Sequence, residues 1–258
     1  KEFFPKRLSK EKLAEIYKLQ GSYIFSCQYL NNPISLDEQL FRVIDTFDSY
    51  KEIEGDLDIT ITVDPAISLD RGDYTGVVVC GVDKRSVIYV LDAIRMKVKP
   101  SELIDALFYL YDKWHPRVIG IETVSFQKSL KYYFEEEQIK RQKYLPVIEL
   151  KPSPDKSKFM RIIGLQPYFE RRQIKVYSKL TDLIEELRTY PRGRYDDLVD
   201  ALAYQLDIIS SPRAVSEEIK VRDEYEEYLE KRSMGLAVKP PYRYRLIKQD
   251  EVEVDYYD

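Results

Sequence analysis

Histidine is nearly absent. One residue, His115, serves 258 positions, and this all but excludes a triad or a histidine general base. Its place between Trp114 and Pro116, at a helix end, suits a surface cap. Cysteine is scarce too. Cys27 and Cys80 are too few for a disulfide framework, and their spacing matches no zinc site, so both read as reduced core residues. No apolar run approaches the 18 or so residues that a membrane span needs, and no signal peptide is recognisable. Glycine numbers only 9. None of it forms a phosphate loop: Gly76 and Gly81 have the spacing, but Val82-Asp83 follows where Lys and Ser or Thr are required. ATP hydrolysis is therefore not expected. The chain begins at Lys1 rather than Met and reads as a piece of a longer protein.

What is present is charge and a sizeable core. Charged residues make up 33% and hydrophobic ones 44%, with a net charge of -4. Nucleic-acid binders are usually basic overall, but this chain is basic in the middle and acidic at its C-terminal end. Local fields matter more to a groove than the total.

Three regions are expected: a helical adaptor over 1–55, a core over 56–210 and a charged appendage over 211–258. In the adaptor, Leu8 to Leu19 has helical spacing with Ser9 as N-cap. Asn31-Asn32-Pro33 breaks it, and Ser35-Leu36-Asp37-Glu38 has capping-box form for a helix through Val43. The core opens on β-branched Ile59 to Val63, a buried strand ending on Asp64. Strands at Gly76–Val82 and Val87–Ile94 follow, joined by a hairpin turn. A helix from Pro100 to Trp114 precedes a strand from Val118 that ends on Glu122. A helix over 127–142, a strand over 145–150, a basic helix over 155–171, a strand over 174–177 and helices over 180–187 and 196–208 complete it. In the appendage, Val215 to Lys231 reads as a helix. Three strands followed by alternating helix and strand predict an α/β fold: a mixed sheet with an antiparallel three-strand meander, parallel strands after it, and helices on both faces.

Chemistry concentrates in carboxylates. Asp64 and Glu122 each end a buried strand. Asp197 and Asp200, three apart on one helix, share a face. The helix dipole explains Asp196 and Asp197 in the first turn. It does not explain Asp200, which Ala201-Leu202-Ala203 sinks toward the core. Acidic groups from three distant places fit one account, convergence on two divalent cations. All-oxygen ligands select hard ions, Mg2+ or Mn2+, and two such ions clamp both sides of a phosphoryl displacement. Lys128, Lys131, Lys156, Lys158, Arg161 and Arg194 are candidate phosphate contacts. Asp73 is a candidate for a water-mediated metal contact.

The order strand Asp, strand Glu, helix Asp-x-x-Asp resembles the RNase H-like superfamily. The form Asp197-Leu-Val-Asp200-Ala-Leu-Ala is similar to RuvC-type resolvases. A narrower resemblance is to the nuclease domain of the large terminase subunit of tailed bacteriophages. It is carried by Gln28 to Pro33; by Val63-Asp64-Pro65-Ala66 with Asp73; by Asp155-Lys156-x-x-Phe159-x-Arg161-Ile162 with Leu165-Gln-Pro167-Tyr-Phe169; and by Leu183 to Leu187 with Tyr190-Pro191 and Asp196 to Ala201. Tyr195 departs from the pattern, since many relatives have His there. The resemblance implies an RNase H-like sheet and a metal-dependent endonuclease that cuts concatemeric viral DNA during packaging, with Asp64, Glu122, Asp197 and Asp200 as catalytic metal ligands and Asp196 as a further one. It implies double-stranded DNA as substrate and an ATPase domain of the same protein, a portal and a small terminase as partners, in the host cytoplasm. A junction resolvase, an RNase H and a non-catalytic docking module are the competing readings.

Overall fold

In a computed structural model, residues 8–31, 40–66, 74–122, 128–152 and 157–209, with Lys231 and Met234, are described. A seven-stranded mixed sheet runs through them in the order β1-β7-β4-β3-β2-β5-β6. Strands β2 (Asp58–Asp64), β3 (Thr75–Val82) and β4 (Ile88–Met96) form the antiparallel meander. Strand β5 (Val118–Glu122) pairs parallel with β2, and β6 (Val147–Leu150) parallel with β5. On the other edge β7 (Ile174–Tyr177) lies parallel to β4, and β1 (Asp45–Phe47) parallel to β7. This is the expected α/β mixed sheet.

Alternation along the strands assigns two faces. Ile61, Val63, Val77, Val79, Ile119 and Ile121 pack with helix α2 (Pro100–Trp114) and with Phe134 of α3 (Lys128–Arg141). Helix α2 starts at Pro100, whose missing N–H costs nothing there. It buries Leu103, Ile104, Leu107, Phe108, Leu110 and Tyr111, one face at 3–4 spacing. Each such side chain contributes roughly 1.5–3 kcal/mol. The helix stops at His115, which has left-handed backbone geometry (φ 47°) and an exposed side chain, as expected for a cap.

The opposite face carries Thr60, Thr62 and Asp64 of β2, Gly76, Val78 and Cys80 of β3, and Val118, Gly120 and Glu122 of β5. Helix α7 (Asp197–Ile209) lies across it. Two threonines facing a core would be costly unless bonded. Thr62 Oγ1 donates to the Ala201 carbonyl at 2.6 Å, and Thr60 Oγ1 to Gln205 Oε1 at 2.7 Å. Gln205 Nε2 in turn donates to the Val78 carbonyl at 2.9 Å. The helix is therefore pinned in register as well as packed. Helices α4 (Lys158–Ile163), α5 (Gln166–Glu170) and α6 (Thr181–Thr189) surround it, and Ile162, Ile163, Leu165, Phe169, Leu183 and Leu187 join its core.

Three expectations are corrected. The first helix, α1 (Lys10–Tyr29), runs well past Leu19. It bends at Gly21 (φ 79°, ψ 170°), and α5 satisfies the amides freed there: Tyr23 N–H donates to Gln166 Oε1 at 3.0 Å and Ser22 N–H to the Glu170 carboxylate at 3.2 Å. Residues 40–43 are not helical, and the unforeseen β1 follows; the start of that expected helix, at 35–39, lies outside the described residues. The basic helix over 155–171 is instead two short ones, separated at Gly164-Leu165. The appendage helix also falls outside the described residues, apart from Lys231.

Closeness at the start of α7 depends on Gly76. A Cβ on Gly76 would stand 2.3 Å from the Asp197 carbonyl oxygen, which is backbone and cannot rotate away. G76A should therefore push α7 off the sheet and destabilise the fold by about 2 kcal/mol or more, read as a lower urea midpoint.

Candidate active site

The register of the sheet builds the site. Val63 pairs with Ile121 across the parallel β2–β5 ladder, so the next residues, Asp64 and Glu122, end neighbouring strands side by side on the α7 face. On its other side Asp64 pairs with Gly76, over which the first turn of α7 sits. Asp197 is thereby brought to the same end of the sheet. The Asp64 and Glu122 carboxyls lie within reach of a shared hydrogen bond, and Asp200 is close enough for its charge to be felt. Burial first, then that bond and these two negative neighbours, push the Asp64 carboxyl far above the ordinary range; Lys158 opposes them. Burial likewise raises Asp197 and Asp200.

Asp200 is already neutralised by protein. Only 2% exposed, it receives Arg161 in a two-pronged pair, Nε to Oδ1 at 2.8 Å and Nη2 to Oδ2 at 2.9 Å. Lys158 Nζ bridges Asp200 at 3.2 Å and Asp196 at 3.0 Å. Burial disfavours the Lys158 charge, but Asp200, Asp196 and Asp64 outweigh it and hold the ammonium protonated. Among the described residues, no three acidic, histidine or cysteine side chains form a ready-made cation cage. Asp64 and Glu122 share a contact that one proton can bridge, whereas Asp200 faces α4. The acidic pair suits a hard cation in place of that proton.

The basic candidates divide. Lys158 lies at the carboxylates. Arg161 is beneath them, its guanidinium 4.0 Å above the Tyr204 ring. Arg194 is exposed on the turn before α7 and reaches over Tyr195 at 5.1 Å. Lys131 is ion-paired with Glu149 at 2.8 Å. Lys128 begins α3; its side chain, like Lys156 and Asp73, lies outside the described residues.

Two residues carry weight that sequence reading did not assign. Arg95, on β4 beside Gly76, stacks 4.0 Å over the Tyr195 ring and pairs with Glu186 at 3.0 Å. Nothing in the local sequence marks Arg95. Glu186 stands inside the Leu183-to-Leu187 stretch, and a carboxylate among buried leucines was the available signal. Burial pushes it up to about 7, against bonds from Val199 and Leu198 and the charge of Arg95.

Breaking the Arg161–Asp200 pair would strand a buried charge. R161M should cost about 3 kcal/mol in urea unfolding, and R161M/D200L should recover most of it. Equal stability of R161M and wild type would contradict the pairing.

A family model described as the terminase RNase H-like domain matches residues 61–207, more than half of the chain. The large terminase of a thermophilic bacteriophage, solved in complex with ADP, aligns with a TM-score of 0.55 and 12% identity over 80% of this chain. The alignment spans 54% of that protein, so the match covers about half of its length. The large terminase nuclease of thermophilic phage G20c aligns with a TM-score of 0.47 and 20% identity, covering 66% of this chain and 97% of that one. The human cytomegalovirus terminase nuclease domain, manganese-soaked and inhibitor-bound, aligns with a TM-score of 0.47 and 13% identity, covering 66% of this chain and 92% of that one. No curated protein sequence matches. The chain belongs to the terminase RNase H-like domain family.

Proposed function

We propose that this chain is a metal-dependent DNA endonuclease that cleaves concatemeric viral DNA during genome packaging, with little sequence preference. Family membership and fold support a packaging-related nuclease role. The observation that supports the finer reading is the Asp64–Glu122 contact at the ends of paired strands, with the first turn of α7, which bears Asp197, packed over Gly76, the β3 partner of Asp64. Asp64, Glu122 and Asp197 would hold Mg2+ or Mn2+, with Asp196 and Asp200 as further ligands if they leave Lys158 and Arg161. Bound there, two ions would activate water and stabilise the leaving oxygen.

The chain's own groups do the rest. Lys158, already bridging two carboxylates, offers a positive charge to a phosphate entering the site. Arg161 holds Asp200 and steadies Lys158's partner. Arg194, exposed beside α7, is suited to the DNA backbone, with Lys128, Lys131 and Lys156 as outlying contacts. Duplex DNA is the proposed substrate. An ATPase domain of the same protein, a portal and a small terminase are the proposed partners, in the host cytoplasm. The regions 1–55, 56–210 and 211–258 are the proposed adaptor, nuclease core and appendage.

Plasmid linearisation tests this. Cleavage should require Mg2+ or Mn2+, and D64N or D197N should lose more than roughly 100-fold while keeping the wild-type circular dichroism. Undiminished cutting by D64N would remove the mechanism. Duplex should also outcompete a four-way junction and an RNA–DNA hybrid.

A pH dependence follows from Asp64. Its folded-state pKa is raised above the unfolded one, so the metal-free fold binds the extra proton. That contribution is full below the unfolded pKa of about 4 and is lost as pH rises toward the folded value. Metal must displace this proton. The metal-free Tm should therefore fall between about pH 6 and pH 8, and the rise in Tm caused by Mn2+ should grow over the same interval.

A further inference from the structure

We propose that Glu186 is the positioning residue for Asp197, capping from another helix the turn that carries it and clamping Arg95 beside that turn. The role rests on Asp197 holding a cation, as proposed above. The contacts themselves involve only this chain.

Helices leave their first N–H groups without partners, and the residue before the helix ordinarily supplies a side-chain oxygen to the second or third. In α7 that residue is Asp196, and its Oδ1 instead accepts from Lys158 at 3.0 Å. The cap comes from α6. Glu186 Oε2 accepts from Leu198 N–H at 2.9 Å and from Val199 N–H at 3.1 Å, the second and third positions of the helix. A distant side chain thus takes over the local capping duty, and Asp196 is left to face the site.

The other oxygen closes a loop. Glu186 Oε1 accepts from Arg95 Nη1 at 3.0 Å, and the same guanidinium lies 4.0 Å over the ring of Tyr195, two residues before Asp197. Glu186 therefore grips the turn directly through two amides and indirectly through Arg95 and Tyr195. It does so at 3% exposure, where a carboxylate carries a desolvation cost that a neutral Ser or Asn cap would avoid. What the charge adds is the arginine clamp. Asp197 lies between these two grips, so its backbone is fixed from both sides.

The test is Mn2+ binding by titration calorimetry on the full chain, alongside Tm and amide exchange. E186A should bind Mn2+ at least roughly 10-fold more weakly than wild type at a temperature where both are folded, the lower end of losses for groups that orient metal ligands. Protection of Leu198 and Val199 amides should fall in step. E186Q keeps an oxygen for those amides and should recover most of the affinity, while R95M should lose part of it. A folded E186A that binds Mn2+ as tightly as wild type overturns the proposal and leaves Glu186 as a stabilising cap only, whatever its Tm. Wild type that binds no Mn2+ overturns the metal reading and this role with it, an outcome distinct from the first. Should E186A not fold, E186D, one methylene short of the amides, decides by the same comparison.

Discussion

Like-charged groups gathered at one end of a sheet repel, and the architecture is arranged around tolerating that repulsion. Asp64, Glu122, Asp197 and Asp200 arrive from two strands and one helix. Each would be comfortable in water, and burial raises three of them. The protein answers with Lys158 and Arg161 from α4, which neutralise Asp200 and Asp196. It leaves Asp64 and Glu122 to share a contact that only a proton or a metal ion makes favourable. The chain's own cations thus balance Asp196 and Asp200, while burial and its acidic neighbours keep the Asp64 carboxyl raised.

That balance needs α7 fixed to the sheet. A helix held by apolar packing alone can slide by a fraction of a turn, which would shift Asp197 and Asp200 relative to the ends of β2 and β5. The buried bonds from Thr60 and Thr62 to Gln205 and the Ala201 carbonyl set the position along the axis. Gly76 sets the distance. Glu186 fixes the first turn. None of these residues offers chemistry to a substrate, yet together they determine where Asp197 stands.

The fold was legible because its strands announce themselves. Ile59 to Val63 and Val118 to Ile121 are short β-branched or apolar runs that end on acids, and the meander follows from the hairpin turn at Asp83 to Ser86. The adjacency of Asp64 and Glu122 follows from two strand ends in one parallel pair, and the start of α7 near them from the packing of its first turn over Gly76. Three features were not legible. Strand β1 is too short for alternation to register and forms only because β7 offers an edge. The continuation of α1 through Gly21 depends on two α5 side chains 148 and 143 residues away from the amides they hold, which no local propensity encodes. The engagement of Arg161 with Asp200 looked like a free cation in a basic run, because sequence shows the sign of a charge but not the direction of its side chain.

The bend in α1 has a mechanical consequence. The Ser22 and Tyr23 amides, just after Gly21, are held by Glu170 and Gln166, and Gln166 also holds the Leu40 carbonyl at 2.9 Å. Helix α5 continues back through Gly164 and Leu165 to α4, which bears Lys158 and Arg161. Force on the first helix would thus meet no slack tether. It would travel along a stiff crank of three helices and end at the ammonium and guanidinium groups that offset the acids.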